Sequence, residues 1–443
     1  MNTAPRYEIE YLKFLQTQSI TITTTLQSRS PCLLTEIRIK PLTAMSLSSL
    51  PRELLLDIAE QLKDAEMSSV ARTNGQVYNL VNERLYRRDL KRRRSKALIW
   101  SVKKGEEAAG TVQRALAAGQ RLDTIPESYH DALRRAADQG RVLFVELLLK
   151  VDGINPNFGG SQVPTAPLVL AARNGHSAVV EMLLDVADTN PNVTDEKSAS
   201  PLLYACASGD VSMVKSLLAR DDVDLNALGF ISRLRKTPPI TKQRTSLAAA
   251  CENGHTEIVR LLLAQDGIDV NLYGNDDRST PLQLATIYCG EVVESFLTRD
   301  DVDVNILDSS GNHALLWAVE SLESVQITKS ILDRPNVDPN SGSRSGPTAL
   351  GAACATANLD LVKLLLNREG IDINRRCTSL GRTPLFRAVD RGDVGIVKLL
   401  LDRYDINPNL PDNNGCTPLS WASQNGNLLM VKVLEESMSK LTL

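Results

Sequence analysis

Apolar positions recur along this chain as short stripes at helical spacing, for example Ile258, Val259, Leu261, Leu262 and Leu263, too broad for one isolated amphipathic helix to hide. Such stripes must pack on neighbours, and they are periodic. Aligning the leucine after each Thr-Pro, Ala-Pro or Ser-Pro step, or its equivalent, gives Leu98, Leu133, Leu168, Leu202, Leu247, Leu282, Leu315, Leu350, Leu385 and Leu419. The successive differences between these positions are 35, 35, 34, 45, 35, 33, 35, 35 and 34. Ten registers therefore run from about residue 96 onward, with one long interval between Leu202 and Leu247.

The clearest copy reads Arg382-Thr383-Pro384-Leu385, then Ala388, Gly392-Asp393, Val397, Leu399-Leu400-Leu401 and Asp405-Ile406-Asn407-Pro408-Asn409. Thr383 offers an oxygen to the unpaired amides of a helix start, and Pro384 takes the first helical position, where its missing N–H costs nothing. A few positions after the leucine stands Gly140, Gly175, Gly209, Gly254, Gly392 or Gly426, which stops a short helix by taking positive φ. A second apolar helix follows. A β-favouring stretch such as Ile268-Asp269-Val270-Asn271 then leads through Gly, Asp and Asn into the next Thr-Pro step, as a turn or hairpin.

Turn, helix, turn, helix at this period resembles the ankyrin repeat, whose pattern of Thr-Pro-Leu, paired small residues, Gly-His and apolar second helix is reproduced by Thr165 to Leu184 and Thr245 to Leu263. The resemblance implies an all-α solenoid of about ten helix-turn-helix repeats over residues 96–443, each touching only its neighbours. Cys289-Gly290 sits one residue out of register.

Upstream, Ser46-Leu47-Ser48-Ser49-Leu50-Pro51-Arg52-Glu53-Leu54-Leu55-Leu56-Asp57-Ile58 through Leu62 predicts an amphipathic helix. Periodic positions at Met67, Val70 and Ala71, then at Val77, Leu80, Val81, Leu85 and Tyr86, predict two more helices, separated near Asn74-Gly75. From its Leu50-Pro51 start and Glu53-Leu54-Leu55 step to its Leu85-Tyr86-Arg87-Arg88 end, this three-helix segment, residues 46–95, resembles an F-box. The resemblance implies docking on a Skp-type linker of a cullin ubiquitin ligase core through Leu50, Pro51, Leu54, Leu55, Ile58 and Leu62. The alternative is a helical cap closing the solenoid. Residues 1–45 read as an extension, disordered or loosely β, and Met45 is an alternative translation start.

Composition narrows the function. Fifty Lys plus Arg against fifty-three Asp plus Glu give a net charge of −3, too balanced for a strongly basic nucleic-acid binder. Aromatic residues make up only 4%, so the core is aliphatic. Seven cysteines without a C-x-x-C spacing read as reduced thiols inside a cell. No long apolar run suggests a membrane span or secretory leader, so a cytoplasmic or nuclear, non-secreted protein is expected.

Chemistry-bearing residues are absorbed by the repeat. His176 and His255 share one offset behind the turn glycine and read as structural hydrogen-bonding residues, while His130 and His313 lie near helix starts. Cys206, Cys251 and Cys354 occupy an alanine slot and read as packing residues rather than zinc ligands. The pairs Asp224/Asn226, Asp269/Asn271, Asp303/Asn305, Asp338/Asn340 and Asp372/Asn374 are one repeat apart and read as turn-stabilising, because calcium needs about six to eight converging oxygens. Trp100, Trp317, Trp421 and Tyr204 all follow their anchor leucine by two and read as buried packing. Nucleotide-binding and hydrolase signatures are lacking, so no catalytic residue, cofactor or metal site is expected. The basic run Arg84, Arg87, Arg88, Lys91, Arg92, Arg93, Arg94 and Lys96 reads as a solvated helix end, with nuclear import or phosphate binding as the sharper alternative.

A protein target is expected on the concave face implied by the resemblance, at the ends of the first helices: Asp138 and Gln139, Arg173 and Asn174, Glu252 and Asn253, Asp390 and Arg391, Gln424 and Asn425. The long interval lengthens one finger, Gly229 to Pro239, whose Arg233, Arg235 and Lys236 join that set. The resulting expectation is a non-enzymatic substrate receptor of a ubiquitin ligase. A plain scaffold, or a nucleic-acid-associated factor using the basic run, are the alternatives.

Overall fold

The computed structural model describes residues 127–159, 165–232, 241–274, 276–322, 324–334, 337–343, 346–376 and 380–441. The F-box-like segment, the basic run, Leu98, Trp100, and Arg233, Arg235 and Lys236 lie outside them. Contacts divide the chain into two units, residues 1–135 with 143–154, and residues 136–142 with 155–443. The first shows the helical segments on either side of its break: most of α1 (Glu127–Asp138) and of α2 (Val142–Leu149).

The second unit is a run of helix pairs: α3 (Pro167–Arg173) and α4 (Ser177–Leu184), α5 (Pro201–Ser208) and α6 (Val211–Leu218), α7 (Ser246–Asn253) and α8 (Thr256–Leu263), α9 (Pro281–Tyr288) and α10 (Val293–Leu297). It continues with α11 (Ala314–Trp317) and α12 (Val325–Leu332), α13 (Ala349–Thr356) and α14 (Leu359–Leu366), α15 (Pro384–Arg391) and α16 (Val394–Leu401), and α17 (Pro418–Gln424) and α18 (Leu428–Leu441). First helices pack on first helices of adjacent pairs, and second on second. The anchor leucines share one environment: all from Leu133 to Leu385 are buried, and Leu419 of the last pair is half-buried.

Local chemistry sets each pair as the sequence suggests. Thr383 Oγ1 accepts from Phe386 N at 3.2 Å, and Thr245, Thr348 and Thr417 repeat that cap. At Thr165 an extra residue precedes the proline, so Ala166 takes the cap position and supplies no side-chain bond. Gly140, Gly175, Gly209, Gly254, Gly392 and Gly426 all take positive φ, and in the pair α13–α14 Ala357 does so instead, at φ 60°.

Two polar ladders join successive pairs. Asn340 Nδ2 donates to Gly370 O at 2.7 Å while its Oδ1 accepts from Asp372 N at 2.7 Å. Asn157, Asn192, Asn226, Asn271 and Asn374 make the same double bond to the next repeat. The Asp partner of each Asp/Asn pair stays local, as Asp269 Oδ1 does on Asn271 N at 2.9 Å. The aspartates therefore stabilise turns as expected, whereas the asparagines fasten neighbours. In the second ladder, Arg220, Arg299, Arg334 and Arg403 donate to Leu184, Leu263, Leu297 and Leu366 carbonyls at the end of the preceding second helix.

The long finger is a two-stranded antiparallel hairpin, β1 (Gly229–Ser232) on β2 (Thr241–Arg244), with Phe230 opposite Gln243. Ile231 faces inward against Ala199, Leu203, Ala207 and Ala249, and Phe230 faces out.

Candidate protein-binding face

The ends of the first helices carry the polar residues that the repeat register singled out. Arg173, Asn174, Asp390 and Arg391 are exposed, as are Gln139, Gln424 and Asn425. Arg173 lies 3.6 Å from Asp138 Oδ1, and Asn174 Nδ2 donates to Asp138 O at 3.1 Å and to Leu170 O at 3.0 Å. The Asn174 amide is thus oriented by its own helix and by the preceding turn, leaving the Arg173 guanidinium as the adjustable group.

Glu252 does not belong to this exposed set. It is 6% exposed and its Oε2 accepts from Arg244 Nε at 3.0 Å, while Arg244, 0% exposed, makes a two-pronged contact with Asp277 through Nη1 at 3.0 Å and Nη2 at 2.7 Å. The cause is the long finger: β2 brings Arg244 over the end of α7, where a buried guanidinium requires carboxylates. Lys242 makes a second ion pair to Asp277, and Gln243 N donates to Asp276 Oδ2 at 2.6 Å. These cations hold the Asp277 carboxyl far below its ordinary range against the opposing effect of burial. Asn253 is half-buried and donates back to Ala249 O at 2.9 Å. Nothing in the sequence spacing announced this cluster, because its members come from one strand, one helix end and the next finger.

The aromatic row also differs from the expected buried packing. Tyr204, Trp317 and Trp421 are half-buried, each with its polar end on an aspartate: Tyr204 Oη donates to Asp195 at 2.6 Å, Trp317 Nε1 to Asp308 at 3.2 Å and Trp421 Nε1 to Asp390 at 2.9 Å. A leucine in that slot has no polar end to satisfy, whereas an indole or phenol turns its edge toward the finger. Burial, seconded by Asp195, pushes the Tyr204 hydroxyl well up. Around Trp421, the Arg382 guanidinium stacks 4.5 Å from the Phe386 ring centre and 4.7 Å from that of Trp421, and donates to Asp390 at 3.0 Å.

The histidines behave as the register implies. His176 and His255 bond through Nε2 to Asp138 O at 3.1 Å and Ala207 O at 3.2 Å, one repeat upstream. His313 replaces a capping threonine: its Nδ1 accepts from Leu316 N at 3.1 Å, and its Nε2 meets Ser341 Oγ. Burial lowers its pKa. Cys206, Cys251 and Cys354 are fully buried. Among the described residues, no cluster of His, Cys, Asp and Glu is arranged to hold a metal, and no helix is long and apolar enough to cross a membrane.

A stack of helix pairs joined by side-chain ladders, with exposed polar residues at the ends of its first helices, defines a repeat protein. The family profile described as "Ankyrin repeats (3 copies)" matches residues 161–229, 228–308, 287–377, 315–412 and 350–442, and the chain belongs to this family. Its repeats imply a protein–protein interaction role. The chain is 34% identical to a putative ankyrin repeat protein of Acanthamoeba polyphaga mimivirus over 32% of its own length and 18% of the relative's. It is 32% identical to the chicken nuclear factor NF-kappa-B p105 subunit over 36% and 16%, and 33% identical to the mouse B-cell lymphoma 3 protein homolog over 37% and 36%. It thus spans only about a sixth to a third of these relatives. The crystal structure of the ankyrin repeat domain of Bcl-3 is 33% identical, covering 43% of this chain and 85% of that one, with a TM-score of 0.38.

Proposed function

We propose that the chain is a non-catalytic substrate receptor: the repeats hold a protein target on the finger and first-helix face, and residues 46–95 recruit a ubiquitin ligase core through a Skp-type linker. The observation that carries the first half is that Arg173, Asn174, Asp390 and Arg391 are exposed at the ends of first helices whose anchor leucines are buried. Arg233, Arg235 and Lys236 of the long finger join them by sequence, and Phe230 at the base of that finger supplies an exposed apolar contact. The second half rests on Leu50, Pro51, Leu54, Leu55, Ile58 and Leu62 alone.

The two halves are separable. Purified full-length chain is expected to bind a Skp-type linker, and Leu54→Arg with Ile58→Arg to abolish that binding; failure of the unmodified chain to bind removes the ligase role and leaves a scaffold. Arg173→Glu with Arg391→Glu is expected to lose the proteins captured by proximity labelling of the unmodified chain, without a change in unfolding temperature. Retention of all of them places the target elsewhere.

A further inference from the structure

Cys289 is in an unusual place. The corresponding turn position in other pairs holds Gly175, Gly209, Gly254, Ala357 or Gly392, in the left-handed conformation. Cys289 instead ends α9 at φ −148°, ψ 59°, and the 3-10 turn Gly290–Val292 follows at once. Its Sγ donates to the carbonyl oxygen of Cys251 at 3.5 Å, which sets the thiol against the neighbouring cysteine, and each thiol shifts the ionisation of the other. Cys251 lies on α7, one repeat upstream, fully buried, and Cys289 is 5% exposed. Cys416, by contrast, lies against Ser420 Oγ at 3.2 Å.

We infer that Cys251 and Cys289 form a redox-sensitive dithiol, which a low-molecular-weight disulfide such as oxidised glutathione converts into an intramolecular disulfide joining α7 to the end of α9. The order of events follows from the two environments. Contact with the Cys251 thiol holds Cys289 below its ordinary pKa, while burial pushes Cys251 well up. Cys289 therefore loses its proton first and attacks one glutathione sulfur; the S–S bond of glutathione breaks and one glutathione thiolate leaves and is protonated. Cys251 then gives up its proton and attacks Cys289 Sγ in the mixed disulfide, expelling the second glutathione. Two protein thiols are oxidised and one glutathione disulfide is reduced to two thiols.

Access comes through the same irregularity. The second helix here is the short Val293–Leu297, entered through a 3-10 turn whose hydrogen bonds are poorer than those of an α-helical turn, so its first turn opens more readily than that of a regular pair. The disulfide would fasten that junction.

The test uses the native full chain incubated with oxidised glutathione, alkylated, and mapped by mass spectrometry without reduction. The expected result is a Cys251–Cys289 cross-linked peptide, two fewer free thiols, reversal by dithiothreitol, and slower hydrogen exchange through Gly290–Leu297. In Cys251→Ser, Cys289 should accumulate as the glutathione adduct; in Cys289→Ser, Cys251 should stay a free thiol. The proposal is overturned if both native cysteines stay free while a denatured control reacts, if Cys251 pairs with Cys206, or if Cys251 takes the adduct in Cys289→Ser.

Discussion

The pair α15–α16 and the two pairs α9–α10 and α11–α12 solve one packing problem with different lengths. In the first, Leu400 follows anchor Leu385 by fifteen positions and is fully buried against the neighbouring second helices. The same buried slot is filled by Phe296, fourteen positions after Leu282, and by Ile331, sixteen after Leu315. One repeat has lost a residue at its turn and the next has gained one. The loss appears as a 3-10 entry and a shortened helix, and the gain as a π-helical turn, Ala318–Leu322, continuing α11. What the stack conserves is the phase of its buried side chains. The length of each repeat is free to vary so long as neighbours compensate.

The largest expected effect tests whether the two solutions pack equally well. Leu400→Ala and Leu262→Ala should each cost about 2–5 kcal/mol, and Phe296→Ala about 3–5 kcal/mol, read by denaturant unfolding. A Phe296→Ala cost under about 1 kcal/mol would show the irregular pair to be loosely packed.

Next comes the cluster that joins the long finger to the start of the irregular pair. Asp277→Ala leaves the Arg244 guanidinium buried with Glu252 alone and should cost about 3 kcal/mol. Because Asp277 titrates below its unfolded value, its stabilisation is complete above about pH 4 and is lost as pH falls from there toward the folded pKa. Flattening of that acid limb in Asp277→Ala is the check.

A smaller effect separates the pairs by pH. His313 caps α11 in its neutral form, and burial keeps its folded pKa below the unfolded one. The unfolded chain then binds the proton first, so stability is full above about pH 6.5 and falls as pH drops, by at most about 1.4 kcal/mol per pH unit. His313→Thr, restoring the capping residue of regular pairs, should remove that slope; a slope unchanged in the variant assigns it to another group.

The smallest effect lies in a regular pair. Ala357 holds a left-handed conformation that glycine takes elsewhere, so Ala357→Gly should stabilise by about 0.5–1 kcal/mol in thermal unfolding.

Much of this was legible in the chain itself. Thr383, Pro384, Leu385 and Gly392 specify their element through local chemistry, and every described anchor leucine falls where the period puts it. Arg173, Asn174, Asp390 and Arg391 were equally readable, since an exposed slot is the complement of a buried one. Glu252 was not, because its burial depends on Arg244 arriving from a finger of unusual length. Nor was the half-exposure of Trp317 and Trp421, which is set by Asp308 just upstream of the first and by Asp390 on the repeat preceding the second. The one-residue shift of Cys289-Gly290 was visible in the chain, but nothing in its spacing placed Cys289 beside Cys251.

The asparagine ladder has a mechanical consequence. Each rung ties one loop to the backbone of the next through a single amide, so tension applied along the stack loads the rungs in series rather than sharing it among them. Under force the molecule should lengthen in discrete steps of roughly one repeat, with shallow, nearly equal peaks, and refold on release by re-zipping from whichever repeats stayed intact: a soft spring rather than a rod.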